Sequence, residues 1–142
     1  MKKIINKPHL FFFSLIPLCL IIAYFLKSSG IEIAIYGGSF NISYWILFTF
    51  SSIFFTLIGI NYFALNLINK PAKKWLTIIH IVLQVFSFIL LFFYIYQTKK
   101  ETTNYHQDIL SVSLIVASFL FLVASFFHLI NFFLSITSKK KN

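Results

Sequence analysis

Four long apolar runs, separated by short polar punctuation, organise this chain. The first extends from Leu10 to Leu26, broken only by Ser14, Pro17 and Cys19. The second runs from Ile42 to Ile68, the third from Trp75 to Tyr96 and the fourth from Ile109 to Ile136. Each approaches or exceeds the roughly 20 residues that carry a helix across a bilayer. The pattern therefore predicts four helices over 10–26, 42–68, 75–96 and 109–136, in one membrane domain spanning 1–142. Pro17 lies inside the first and is expected to bend it modestly.

Between the first two runs the pattern changes. Ile31, Ile33 and Ile35 alternate with Glu32 and Ala34, the period of two of an extended segment. Gly37 and Gly38 then break it, and Asn41 or Ser43 can cap the helix that follows. Two further periodicities concern packing. Ser52, Thr56 and Gly59 share one face of the second run. In the fourth, Ser111, Ser118 and Ser125 recur every seven residues, as do Ala117, Ala124 and Asn131. Small residues at such spacings let a second helix approach closely.

Composition names the solvent. Of 142 residues, 59% are hydrophobic and 11% charged, and 20 are phenylalanine. A soluble domain keeps about a quarter of its residues charged, so the medium that accepts these side chains is lipid. The fold class expected is all-α, an integral membrane four-helix bundle.

The net charge of +9 rests on lysine alone. Its placement speaks of topology rather than nucleic acid, for there is no arginine to grip phosphate or guanine in bidentate fashion. With the N-terminus in the cytoplasm, Lys2, Lys3, Lys7, Lys70, Lys73, Lys74, Lys139, Lys140 and Lys141 fall on that side. Lys27, Lys99 and Lys100 face the other, together with Glu32, Glu101 and Asp108. Nine lysines against three is the positive-inside asymmetry. Both termini are thus expected in the cytoplasm and the protein in the inner (plasma) membrane. The segment from Leu26 to Gly30 makes a poor signal-peptidase site, so the first run reads as an uncleaved helix. Cys19, alone, allows no disulfide framework.

Polar residues inside the apolar runs are where chemistry concentrates in such proteins. Asn61 lies on the second helix. His80 and Gln84, at i and i+4, share a face of the third; His128 and Asn131, at i and i+3, share a face of the fourth. At about 1.5 Å per residue all fall about 5–15 Å from the lysine clusters, in one leaflet. Ser14 is at a compatible depth. Antiparallel packing in chain order would join them in one cluster of interhelical hydrogen bonds. The alternatives are a haem held by His80 and His128 as axial imidazoles and a proton relay. The expectation is no cofactor and no metal, with haem as the alternative. His9 and His106 lie at the edges and read as solvated. Metal-protease, redox-thiol and nucleotide-loop motifs are absent. Asp108 falls across the membrane from His80 and His128, which argues against a hydrolytic triad.

The stretch from Glu32 to Ile46, together with Ile78 to Leu83, resembles part of subunit I of the haem–copper oxidases. That family carries Asp-Ile-x-x-His-Asp-Thr-Tyr-Tyr-Val-Val-Ala-His-Phe-His ahead of a helix and Lys-Ile-His-Phe-Trp-Leu at the start of the next. In this chain the first motif corresponds to Glu32, Ile33, Ala34, Ile35, Tyr36, Gly37, Gly38, Ser39, Phe40, Asn41, Ile42, Ser43, Tyr44, Trp45 and Ile46. In the second, His80 falls on the family's histidine, which is not a haem ligand. The four runs would correspond to the last four helices of that subunit. The departures are specific. The two haem-ligating histidines are Tyr44 and Ile46 here, and the His-Asp pair associated with a divalent ion is Tyr36 and Gly37. The family's copper ligands lie on earlier helices with no counterpart in this sequence. The resemblance implies a short relative without redox centres, not an oxidase by itself.

Three functions stay open on this reading. The chain is a non-catalytic membrane protein, an accessory or assembly component of a respiratory complex, or a small haem-binding electron-transfer protein using His80 and His128, or a small oligomeric transporter or channel. Its partners are the lipid bilayer and other membrane subunits or further copies of itself. The absence of carboxylates within the helices argues against proton or cation transport.

Overall fold

The computed structural model describes residues 7–35, 38–98 and 104–138; the side chains of 32–35, 38, 39 and 104–111 are outside that description. Among these residues the elements are α1 (Pro8–Phe25), β1 (Gly30–Ile35), β2 (Gly38–Ser43), α2 (Tyr44–Leu67), α3 (Lys74–Thr98) and α4 (Asn104–Thr137). Four of them are long and apolar enough to cross a membrane: Pro8–Phe25, Tyr44–Leu67, Lys74–Thr98 and, within α4, Val112–Thr137. The chain divides into two compact units, 1–69 and 70–142. Each is built on one pair of antiparallel helices.

In the first unit α1 packs against α2. Pro8 opens α1 at the position where a missing N–H costs nothing, and the helix continues through Pro17. Its buried residues are Pro8, His9, Phe12, Cys19 and Ala23, against Phe48, Ser52, Phe55, Gly59, Tyr62 and Leu65 among those of α2. Phe12 stacks on Tyr62 at 5.7 Å between ring centroids and also meets Phe55 at 6.1 Å. The small-residue face expected around Gly59 serves this contact. A Cβ added at Gly59 would stand 2.5 Å from Cε1 of Phe13, so the Phe13 ring occupies the space that any larger residue would fill. Ser52 and Thr56 turn their hydroxyls back onto the carbonyls of Thr49 and Ser52.

Two expectations change here. His9 is 8% exposed rather than solvated. It sits against the edges of Phe13 and Phe63, at 6.4 and 5.6 Å, and its aromatic neighbours account for the burial. The stretch after α1 is also more than a single extended segment. Residues 38–43 return as a second strand, antiparallel to the first, with Ile31 paired to Ile42 and Ile33 to Phe40. Gly37 and Gly38 suggested only a break, and period-two alternation in so short a run is faint. At Gly30 the strands approach so closely that an added Cβ would meet the Ile42 carbonyl oxygen at 2.7 Å.

The ends of α2 follow local rules. Ser43 is the N-cap, its Oγ accepting from Trp45 N–H at 3.2 Å. At the other end Asn69 takes a positive φ of 56°, the left-handed residue that commonly ends a helix when glycine is not used. Pro71 follows.

The second unit is the α3–α4 hairpin. α4 begins at Asn104, five residues before the apolar run. A helix satisfies its own backbone in water as well as in lipid, so the end of an apolar run does not mark the end of the helix. His106 and Ser111 are among the residues whose side chains are not described.

Candidate functional site

The buried face of α3 carries Leu76, Thr77, His80, Gln84, Ser87 and Ile95. From Thr77 to Ser87 the steps are three, four and three residues, the alternation that keeps one seam toward a neighbouring helix. Across from it α4 buries Ala117, Ala124, His128, Asn131 and Ser135. The Ala117, Ala124 and Asn131 stripe is therefore the packing face. The serine stripe is not: Ser118 is exposed and Ser125 half-buried, and each donates to a carbonyl of its own helix, at Leu114 and Phe121.

Four of the five candidate residues meet on this seam. Asn131, fully buried, accepts from the Lys73 backbone N–H at 2.9 Å and donates to Thr77 Oγ1 at 3.0 Å. Its Nδ2 lies 3.5 Å from the Lys73 carbonyl, and Ser135 Oγ reaches its Oδ1 at 3.5 Å. Asn131 thus plugs the N-terminus of α3, where backbone donors have no partner within their own helix. Nearby, the Lys70 ammonium donates to the Ile136 carbonyl in the last turn of α4, where a cation complements the helix dipole. One layer deeper, the rings of His80 and His128 lie 5.1 Å apart between centroids, tilted by 35°. They are 0% and 3% exposed. Further along, Ser87 Oγ donates to the Ala117 carbonyl at 2.8 Å.

Gln84 occupies the interval between the histidine pair and Ser87. The antiparallel progression, Thr77 with Asn131, His80 with His128 and Ser87 with Ala117, sets Ala124 across from it. Gln84 is fully buried, and among the described residues neither its amide oxygen nor its nitrogen has a hydrogen-bond partner.

Asn61, the fifth candidate, is half-buried on α2 in the first unit, and the second unit completes its seam from its own residues. Ser14 is exposed and donates to the Phe11 carbonyl of its own helix. Residues overlooked in the sequence reading are Thr77, Ser87, Ser135 and the Lys73 backbone. Thr77, His80, Gln84 and Ser87 recur at seam spacing along α3, a signal as regular as the alanine stripe of α4.

The fit of a haem can be tested on this geometry. Two axial imidazoles present their nitrogens from opposite sides of an iron, each roughly 2 Å from the metal, with a flat macrocycle between them. His80 and His128 are in ring contact. The seam as folded does not fit a haem. Among the described residues no three His, Cys, Asp or Glu side chains gather in a group able to hold a metal ion.

No protein-family model, curated protein or solved structure matches this chain.

Proposed function

We propose that this chain is a non-catalytic multi-pass membrane protein, an accessory or assembly component of a larger membrane complex. The observation that carries the reading is the use made of the intramembrane polar groups. Asn131, Thr77 and Ser87 are bonded to one another or to backbone across α3 and α4. Side chains committed to holding two helices together are a scaffold, and interhelical bonds of this type contribute about 0.6–2 kcal/mol each. The outward faces are broad and apolar, with Phe50, Phe119, Phe126 and Phe133 each more than 60% exposed. They suit lipid or the helices of a partner subunit.

The resemblance to oxidase subunit I makes a respiratory complex the first partner to test. Crosslinking in native membranes followed by mass spectrometry is expected to recover respiratory subunits with this chain. Recovery of the chain alone, under conditions that preserve known respiratory complexes, refutes the assignment. The same purified protein is expected to be colourless. A Soret band lost in His80→Ala or His128→Ala would instead establish the electron-transfer reading.

The accompanying topology has both termini on the cytoplasmic side of the inner membrane. Its support is the nine-to-three lysine asymmetry. Reporter fusions after residue 100 should read as outside the cytoplasm, and a cytoplasmic signal there overturns the orientation.

A further inference from the structure

The β1–β2 ribbon has two unlike faces. Its register pairs Ile31 with Ile42, which puts Ile31, Phe40 and Ile42 on one, and Asn41 and Ser43 on the other. Phe40 is 63% exposed and Ile42 40% exposed on the apolar side, while Ile31 is buried. A two-stranded ribbon is marginal by itself in water, and one that shows phenylalanine and isoleucine to water is worse placed still.

Its attachment points indicate what covers that face. The ribbon has no linker on one side, since β2 ends at Ser43 and α2 starts at Tyr44. On the other side four residues separate Phe25 from Gly30. Tyr44 N–H donates to the Ser29 carbonyl at 3.0 Å, and Ser43 Oγ donates to the Lys27 carbonyl at 3.4 Å. The ribbon is thereby tied to the ends of both α1 and α2. Those ends carry exposed Tyr24, Phe25 and Trp45, with the Lys27 ammonium 5.4 Å from the centre of the Tyr24 ring. Amphipathic aromatics and a lysine at helix ends mark the headgroup level of a bilayer. A strand of six residues reaches about 20 Å, so a ribbon leaving that level with an apolar face can lay the face along it.

We propose that the two strands, Gly30–Ile35 and Gly38–Ser43, lie in the membrane–water interface, with Phe40 and Ile42 in lipid and Asn41 toward water. They extend the aromatic belt of the α1–α2 pair and anchor the pair to one leaflet. The interaction is with the lipid surface, driven by apolar burial. It requires no particular partner protein and stands apart from the function proposed above.

The test uses the full chain in phosphatidylcholine–phosphatidylglycerol vesicles, with spin labels at Phe40→Cys, Asn41→Cys and Ile42→Cys. Cys19 is buried, and labelling of the unmutated chain measures its background. Labels at 40 and 42 should be relaxed more by oxygen than by a water-soluble nickel chelate, and the label at 41 the reverse. Nickel dominating at all three positions places the ribbon in water and overturns the proposal. Shielding of 40 and 42 from both reagents means a protein contact, a second copy first among them, and also overturns it. A second measurement avoids cysteine. Phe40→Trp in a Trp45→Phe, Trp75→Phe background should be quenched by lipids brominated near the headgroup. Quenching by aqueous iodide alone counts against the interface.

Discussion

Replacing Asn131 separates a polar lock from mere helix packing. Its two short bonds, to Lys73 N–H at 2.9 Å and Thr77 Oγ1 at 3.0 Å, are the ones with good geometry; the two contacts at 3.5 Å are weak on distance alone. Interhelical bonds in membrane proteins average about 0.6 and reach about 1.7 kcal/mol. Losing both short bonds therefore costs about 1–3 kcal/mol, or up to about a hundredfold in the folding equilibrium. Asn131→Leu keeps the bulk and removes the polarity, so a cavity does not confuse the result. Thr77→Val does the same for its partner. Thr77 also donates to the Lys73 carbonyl at 3.1 Å, so the single Thr77 variant carries a loss of its own that only a double-mutant cycle can subtract.

The assay is unfolding by SDS in mixed micelles, read from Trp75 at the start of α3 in a Trp45→Phe background. The expected coupling between Asn131→Leu and Thr77→Val is about 0.6–1.7 kcal/mol. Ser118→Ala is the control: exposed and bonded only within its own helix, it should change stability by no more than about 0.5 kcal/mol. Additive single variants, or an Asn131→Leu protein as stable as the parent, would falsify the lock and with it the scaffold reading of the seam.

Other consequences follow from the same packing. Gly59→Ala should cost about 1–3 kcal/mol, because the new Cβ meets the Phe13 ring at 2.5 Å; adding Phe13→Ala should recover part of that loss in the same denaturation assay. Gln84→Leu should leave stability unchanged or raise it, since its buried amide bonds nothing among the described residues and burial without a bond is unfavourable. A drop above about 2 kcal/mol there would show that the amide is satisfied in the membrane. Ser43→Ala removes the cap of α2 and should cost about 0.5–2 kcal/mol, seen as a lower thermal midpoint, with Ser43→Asp restoring most of it.

The four long apolar helices were the most legible feature, because an apolar environment imposes one requirement on every residue of a run and the signal adds along it. Of the finer signals, some survived for a nameable reason. Ser43 could be read, alongside Asn41, as a cap because capping is local, decided by one oxygen and an amide two residues on. Gly59 could be read as a contact point because absence of a side chain on a helix face has few other uses. On α4 two seven-residue stripes, of serine and of alanine with asparagine, competed, and sequence alone did not choose between them. The physics that chose is that a serine hydroxyl in a helix can bond the carbonyl one turn back. Ser118 and Ser125 need no neighbour, whereas the Asn131 amide needs several partners and finds its two short bonds across the seam, at Lys73 and Thr77. Depth and face pointed to Asn61, His80, Gln84, His128 and Asn131, of which the last four are buried on the α3–α4 seam, but also admitted Ser14, whose hydroxyl donates to the Phe11 carbonyl. The return strand was hidden for the opposite reason. Residues 38–43 contain glycine, serine and asparagine, all turn formers, and only the extended conformation held by pairing with β1 gives Phe40 and Ile42 a common face. Side-chain demand for partners, more than polarity or position, is what sorted the residues that meet from those that merely share a level along the helices.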